Sequence, residues 1–433
     1  MKYCRVIPFF AAALFFLSST SFSKEIEPFS GFKNNDRVLI LAPHPDDEAI
    51  GTAGAILEAM KLKLPVRIVY FTYGDSNEPA FIVYEKRIVF KKKAFVNLGE
   101  VRRKESTNAM KFLGLKEKNL IFLGYPDFGT MQIFTKYWDA KKPYKGMFTR
   151  VTRVPYPDAL SPGAPYVGES ILKDIEKVIT DFKPTKIFVS HPVDVNRDHR
   201  ALNLFLRVAL WDLEGKIQEP EVIPYLVHVV RWPMPRGFHP EVALGPPKEL
   251  KDSSAAWWRL DLSAGQIAKK KKAISFFKSQ IEYAPSYLYT FVRKNELYGD
   301  YPVISIKSND SMAGIDKLGY ALKDGFLLIK LDLKRKIDEY FGVSIFLFGY
   351  SKVKDFALMP KINITIGTRG LKVVDKTKRL RMQDVKAAFK GRSLVLKVPL
   401  YLLGNPGRIL ATARTSAKDL TLDDTALRVI ELN

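Results

Sequence analysis

The sequence is poor in the residues that build covalent cross-links and multi-metal centres. Its 433 residues include one cysteine and five histidines. A single cysteine excludes a disulfide framework and any multi-cysteine zinc or iron–sulfur site, so a metal would have to be held by histidine and carboxylate. Acids are also scarce: 46 Asp and Glu face 69 Lys and Arg, a net charge of +23. That excess leaves nucleic acid, an acidic membrane surface or an anionic polymer open as partners. Long hydrophobic runs are missing too. Beyond the N-terminus no segment approaches 18 uninterrupted apolar residues, so none reads as a transmembrane helix. Apolar side chains as such are plentiful: 47% of residues are apolar and 12% aromatic, which excludes a disordered chain. The length suggests about two domains.

The N-terminus narrows the partner classes. Lys2 and Arg5 precede an apolar run from Val6 to Leu17, and small residues follow, ending Ser21-Phe22-Ser23. This pattern reads as a secretory signal over residues 1–23, cut after Ser23. As a helix the run would be about 18 Å long against a bilayer core of about 30 Å, which argues against a retained anchor. Cys4 precedes the run, away from a lipoprotein position, and would leave with the signal; losing Lys2 and Arg5 as well brings the charge to +21. Export to the periplasm or beyond argues against nucleic acid and towards envelope polymers or lipid head groups.

From residue 37 to about 300, short apolar runs alternate with helical spacing. Val38–Leu41, Val66–Phe71, Leu120–Leu123 and Lys186–Ser190 read as strands. Residues 46–60, 102–113, 169–182 and 200–211 read as helices. The alternation predicts an α/β fold: a Rossmann-like, mostly parallel sheet with helices on both faces. Residues 76–100 and 128–167 break the pattern and read as loops around a site. After residue 300 the period changes. Short strands spaced by Gly367, Gly370, Gly391 and Gly404 predict an all-β, sandwich-like domain. The predicted organisation is a signal over 1–23, an α/β domain over 24–300 and a β domain over 301–433.

Two clusters carry the chemistry. The first predicted strand runs into Pro43-His44-Pro45-Asp46-Asp47-Glu48 and then a helix. Ligands bind at the carboxyl ends of parallel strands, and three consecutive acids beside a histidine are costly there without a cation. Taken alone, the acids could merely complement a helix N-terminus. The second cluster, His191-Pro192-Val193-Asp194-Val195-Asn196-Arg197-Asp198-His199, also follows a strand and opens a helix. His44, Asp47 and His199 make a two-histidine, one-carboxylate set with room for water, which suits catalytic zinc. Asp46 beside that water is a candidate general base. Asp194 or Asp198 could orient His199 through its second ring nitrogen, and His191 adds a nearby imidazole.

The two motifs, in this order and strand context, resemble the LmbE/PIG-L family of metal-dependent de-N-acetylases. The family's first signature is met by Pro43 to Glu48 and its second by His191 to His199. Weaker similarity continues in Thr72-Tyr73-Gly74-Asp75, in Arg102-Arg103-Lys104-Glu105, in Leu123-Gly124-Tyr125-Pro126-Asp127 and in a closing helix ending Lys278-Ser279-Gln280. The resemblance spans about residues 37–300 and says nothing of the β domain. It implies His44, Asp47 and His199 as zinc ligands, Asp46 as general base, and Arg102 and Asp127 at the substrate. Where many members carry a second catalytic histidine, this sequence has Asn196, which can donate a neutral hydrogen bond to an oxyanion but cannot move a proton.

Other features have plainer readings. Lys269 to Lys272 lie on a helix and read as a mostly solvated face. Residues 86–104 interleave Lys86, Arg87, Lys91, Lys92, Lys93, Arg102, Arg103 and Lys104 with apolar residues, and read either as a basic rim for an anionic glycan or as simple solubility. His228 and His239 lie outside both motifs and read as structural. Trp257-Trp258 reads as packing in preference to a sugar platform. The expectation is an exported, zinc-dependent N-deacetylase acting on an N-acetylated, possibly anionic glycan, with no nucleic-acid partner. The rivals are a non-catalytic glycan-binding protein on a degenerate deacetylase fold and a metallo-hydrolase of another amide.

Overall fold

A computed structural model describes residues 26–76, 92–250, 253–308, 312, 318–368, 370–381, 383–417 and 420–433. The export signal read over 1–23 and the basic residues Lys86, Arg87 and Lys91 lie outside this set. Among the described residues no helix is long and apolar enough to cross a membrane.

An eight-stranded sheet organises the first part. Its strands are β1 (Glu27–Pro28), β2 (Val38–Ala42), β3 (Val66–Thr72), β4 (Leu120–Tyr125), β5 (Lys186–Ser190), β6 (Glu221–Tyr225), β7 (Ala256–Asp261) and β8 (Asn295–Asp300), in the order β1-β7-β8-β6-β5-β2-β3-β4. The run β6-β5-β2-β3-β4 is parallel; β8 adds antiparallel to β6, and β7 antiparallel to β8. The helices are α1 (Asp47–Lys61), α2 (Lys92–Phe112), α3 (Thr130–Lys136), α4 (Gly168–Phe182), α5 (Arg197–Asp212) and α6 (Ala264–Ile274). The connections β2-α1-β3 and β3-α2-β4 step one way across the sheet, and β4-α4-β5 and β5-α5-β6 step the other way. Right-handed crossovers then place α1 and α2 on one face and α4 and α5 on the opposite face. Accordingly α6 packs on α1 and α2, and α5 packs on α3 and α4. The reversal falls between β2 and β5, so the crevice at their carboxyl ends is the topological switch point of the sheet.

Both β2 and β5 are buried along their whole length, as the uniformly apolar Val38–Ala42 run predicts for a central parallel strand. The predicted α/β architecture is present, but strands β1 and β6 and the helix α3, inside the stretch 128–167 read as a loop, were not predicted, and three further differences stand out. Helix α2 begins at Lys92, ten residues before the predicted start: its first two residues are lysines, and Phe95 and Leu98 turn inward, packing with Phe148. Strands β7 and β8 were not predicted. Their polar positions point to solvent at the sheet edge or, like Glu296, into buried ion pairs, so no apolar run marks them. The closing helix is broken: α6 ends at Ile274, and a short α7 (Lys278–Ile281) follows.

The C-terminal part consists of β9 (Ile304–Ile306), β10 (Leu318–Lys323), β11 (Phe326–Asp332), β12 (Phe341–Tyr350), β13 (Lys361–Gly367), β14 (Gly370–Asp375), β15 (Lys378–Leu380), β16 (Lys386–Lys390), β17 (Ser393–Pro399), β18 (Arg408–Ala417), β19 (Leu420–Asp424) and β20 (Arg428–Leu432). One sheet has the order β10-β11-β17-β16; the other has β15-β14-β13-β12-β18-β20-β9, with β19 beside β18. Leu327, Ile329, Leu394 and Leu396 from the first sheet meet Val343, Ile345, Ile364 and Ile409 from the second in one apolar core. The opposite face of β12 is apolar as well. Phe348 and Tyr350 join the core of the α/β part, where Phe134, Trp138, Phe205 and Phe356 form a ring cluster.

Phe134 sits at the centre of that cluster, its ring centroid 4.9 Å from Phe205 and 5.1 Å from Phe348. Replacing Phe134 by Ala is expected to cost about 3–5 kcal/mol. A chemical-denaturation midpoint followed by tryptophan fluorescence should fall accordingly, and an unchanged midpoint would mean the ring cluster contributes little.

Candidate active site

The turn between β2 and α1 holds the first motif. It is closed by its own acids: His44 N–H donates to Asp47 Oδ2 at 2.9 Å and Asp46 N–H to Glu48 Oε2 at 2.9 Å. Asp46 adopts φ 117°, a region that L side chains rarely occupy. Arg102, 3% exposed, holds this strained residue from α2. Its guanidinium donates to Pro45 O and Gly74 O, both at 2.7 Å, and to Asp46 Oδ2 at 3.3 Å. Gly74 is obligatory here, because a Cβ on it would lie 2.0 Å from the Arg102 guanidinium. Glu48 is fully buried and also accepts from Tyr70 O–H at 3.0 Å; burial, then the neighbouring Asp46, raises its pKa to about 8.

The second motif follows β5. His199 lies in the first turn of α5 with 0% exposure; its Nε2 is 3.1 Å from Asp47 Oδ2 and its Nδ1 is 3.1 Å from Asp194 Oδ2. Asp194 is held in turn by the N–H groups of Asn196 and His228, both at 2.9 Å. His44 lies between carboxylates, with Nδ1 3.3 Å from Asp47 and Nε2 3.2 Å from Asp127 and 3.5 Å from Asp198. Asp127 follows β4 and accepts from Ser76 N–H at 3.0 Å, which ties in the end of β3. Four parallel strands thus deliver their carboxyl-terminal residues to one crevice.

The electrostatics follow from burying so many acids. Burial alone would lower the pKa of His199, but Asp194 and Asp47 outweigh it and raise the value to about 9. Burial is likewise outweighed at His44, chiefly by Asp127, and its pKa rises well above the ordinary histidine range. Asp46 is pushed up to about 7 by burial, against the pull of Arg102. The two imidazoles hold Asp47 far below the usual carboxylate range despite its burial.

The ligand atoms of His44, Asp47 and His199 lie within 4.8 Å of one another. Both ring nitrogens of His199 are buried yet make no well-directed hydrogen bond. Nε2 lies on the Asp47 side of the ring, where a shared cation would be held, and Nδ1 on the Asp194 side. The donors present therefore fit a divalent cation held by two imidazoles and one carboxylate. Two further groups share these histidines: Asp194 with His199 and His228, and His44 with Asp127 and Asp198.

The structure redistributes several predicted roles. Asp194, and not Asp198, faces the second nitrogen of His199. Asp198 accepts from the N–H groups of Phe128 and Thr130 and flanks His44. Asp127 also flanks His44, so it adjoins the cation set instead of standing out towards a substrate. Arg102 is taken up by main-chain oxygens and Asp46 and is not presented to the crevice. His191 contacts none of the three ligands: it stacks on Trp257 with ring centroids 5.1 Å apart, its Nδ1 accepts from Val193 N–H, and burial lowers its pKa to about 4. The same stacking removes Trp257 as a sugar platform. Asn196 caps α5, its Oδ1 accepting from Asp198 N–H at 2.8 Å, which leaves its amide N–H groups as donors. His228, read as structural, stands at the site with its ring centroid 4.5 Å from that of His199. The signal for it was the strand β6 directly before it, which went unread because Pro224 interrupts its apolar run.

Residues 39–210 match the family model of PIG-L, described as GlcNAc-PI de-N-acetylase. The probable N-acetyl-alpha-D-glucosaminyl L-malate deacetylase 2 of Bacillus subtilis (strain 168) is 32% identical over 91 residues, 20% of this chain and 40% of that protein. Its counterpart from Bacillus anthracis is 34% identical over 99 residues, 22% of this chain and 38% of that protein. The chain thus spans about two-fifths of the length of the curated relatives it matches. Among solved structures, the N,N'-diacetylchitobiose deacetylase from Pyrococcus horikoshii aligns with 61% of this chain and 82% of its own, at 19% identity and a TM-score of 0.37.

Cation binding at this site should be linked to protons. With its pKa near 9 in the cation-free protein, His199 carries a proton at pH 7, and so does His44. Ligation needs both rings neutral, so affinity should rise with pH from 6 to 9, by about tenfold per unit for each proton released. Zinc titration by calorimetry in two buffers of different ionisation heat checks this; pH-independent binding would contradict it. The protonated His199 also stabilises the cation-free fold. That contribution is full below pH 6.5 and is lost as pH rises through about 9.

Proposed function

We propose that this chain is a metal-dependent de-N-acetylase that hydrolyses the acetamide of an N-acetylated amino sugar of the N-acetylglucosamine type, releasing acetate and leaving a free amine. The observation that carries the proposal is the convergence of His44, Asp47 and His199 with Asp46 held beside them in a strained turn. The PIG-L domain supports the reaction class and the N-acetylated sugar as substrate. We further infer export, from the signal read over residues 1–23, and with it a surface or envelope glycan as the setting.

His44, Asp47 and His199 would hold the cation, with zinc the best fit to this donor set. When bound, it polarises the acetamide carbonyl and lowers the pKa of a water towards about 7. Asp46 is the general base: its carboxyl is buried, shifted to about 7, and aimed by Arg102. It takes a proton from water as the oxygen attacks the carbonyl carbon. It returns that proton to the nitrogen as the C–N bond breaks, so acetate and amine leave and the carboxylate is restored. The Asn196 amide N–H groups serve as donors to the carbonyl oxygen as charge develops there. Asp194 fixes the ring orientation of His199, and Arg102 positions Asp46.

Replacing Asp46 by Asn should leave about one zinc per chain but lower acetate release from N-acetylated chito-oligosaccharides by about 10²–10⁴-fold. His199→Ala should lose the zinc as well. Full activity in D46N would refute the base assignment. One zinc per chain without acetate release in the unaltered protein would favour the non-catalytic glycan-binding alternative, to which Asn196, in place of a second catalytic histidine, lends its only support.

A further inference from the structure

Between the two parts of the molecule lies a cavity of about 480 Å³, within the roughly 300–1,000 Å³ of small-molecule sites. Helices α3 and α5 form one wall, and β12, β13, β14 and β18 form the other. Apolar groups line part of it, among them Met131, Leu204, Phe346 and Phe348. Every ionisable side chain that lines it is basic. The α/β part contributes Lys136, Arg197 and Arg200, and the sandwich contributes Lys361, Lys372, Lys376 and Arg414.

These cations are poorly neutralised. Asp424, behind the wall, pairs with Arg200 at 2.9 Å and with Arg414 at 2.8 Å. Lys361 donates to the carbonyls of Phe356 and Met359 and lies 3.8 Å above the Phe356 ring centroid. Lys136, Arg197, Lys372 and Lys376 have no carboxylate partner among the described residues. Asn363, Thr377 and Thr412 add neutral hydrogen-bonding groups suited to sugar hydroxyls.

The cavity adjoins the candidate cation site. Phe128 and Arg197 line it, and each is the next residue in the chain to a carboxylate, Asp127 or Asp198, that flanks His44. At two places the chain therefore passes within one residue from the lining of the cavity to a carboxylate at His44.

We propose that this cavity is a substrate subsite built jointly by the two parts of the chain, and that it takes an oxyanion substituent, a phosphate or carboxylate, carried on the same glycan whose acetamide meets His44, Asp47 and His199. The inference rests on the de-N-acetylase reading for the acetamide end, while the anion subsite stands on the cavity itself. The guanidinium of Arg197 matches oxyanion geometry, while Arg200 and Arg414 are held by Asp424 at the wall; a cleft lined by one sign of charge concentrates its field on the ligand. The apolar part of the lining covers the sugar ring that carries the anion.

The test uses the full, zinc-loaded chain and three probes in calorimetry: N-acetylchitotetraose, the same oligosaccharide bearing a phosphomonoester, and inorganic phosphate. The phosphorylated sugar should bind at least about tenfold tighter than the neutral one, and more weakly as salt is raised. In the triple variant K136Q/R197Q/K372Q, whose altered side chains are all solvent-exposed, that advantage should fall below about threefold, with circular dichroism unchanged. Equal binding of the two sugars, or an advantage that survives the triple variant, overturns the proposal. Inorganic phosphate binding as tightly as the phosphorylated sugar also overturns it, since the cavity would then be a site for the free ion. If the binding difference appears but no acetate is released, the de-N-acetylase reading fails while the anion subsite stands.

Discussion

The structure turns on one carboxylate. Asp47 Oδ2 accepts from the His44 main chain and lies within 3.3 Å of the His44 ring and 3.1 Å of the His199 ring. It thereby joins two segments separated by about 150 residues across the switch point of the sheet. With 1% exposure it is a buried charge, which is expensive to desolvate unless it is paired. Asp127, Asp194 and Asp198 are as deeply buried, and Arg102 brings a permanent positive charge to Asp46. Protonated imidazoles can balance the excess, and so can a divalent cation. The same arrangement that makes the cation-free site costly makes it receptive, and both properties follow from placing acids where parallel strands end.

Asp46 shows how that constraint spreads outward. Its φ of 117° would relax if the turn were free, yet Arg102, Glu48 and the absence of a side chain at Gly74 leave no room. Arg102 reaches it from α2 and is itself anchored to the end of β3. Glu48 spends both its oxygens on Tyr70 and on the Asp46 N–H. The strain is therefore borne by three elements packed around the turn. A carboxylate held this way keeps one orientation whether or not anything else occupies the crevice.

Much of this was legible because the two motifs are compact in sequence and each begins where a buried strand ends. His44, Asp46, Asp47 and His199 announce themselves by residue type, spacing and the apolar run before them. What escaped notice depends on long-range placement. Nothing local distinguishes Asp194 from Asp198 as the partner of His199; the curl of the loop before α5 decides it, turning one towards the ring and the other towards the Asp127 loop. His228 arrives on β6, whose alternation is interrupted by Pro224. Arg102 reads as a substrate arginine until the fold surrounds it with carbonyl groups. Lys270 sits in a run of four lysines, yet it alone turns inward, to pair with the buried Glu296 of β8. The early start of α2 was hidden for a related reason: Phe95 and Leu98 pack on Phe148, from the distant 128–167 stretch, and not on the main core.

The C-terminal β part follows the same logic of shared burial. Strand β12 is apolar on both faces, one closing the sandwich and the other carrying Phe348 and Tyr350 into the core of the α/β part. Phe134, Trp138, Phe348 and Phe356 would all be uncovered if the two parts separated. At about 1.5–3 kcal/mol per ring, that exposure approaches the whole stability of an ordinary domain. A hinge opening between the two parts is therefore disfavoured, and the basic cavity between them keeps its walls at a set spacing. Access to the crevice must instead come from the segments that close over the strand ends, among them the Asp127–Thr130 turn. There Phe128 is about half exposed at a positive φ of 56°, with its N–H held by Asp198. Movement of that turn would act on both sites at once, because the same few residues flank His44 on one side and line the cavity on the other.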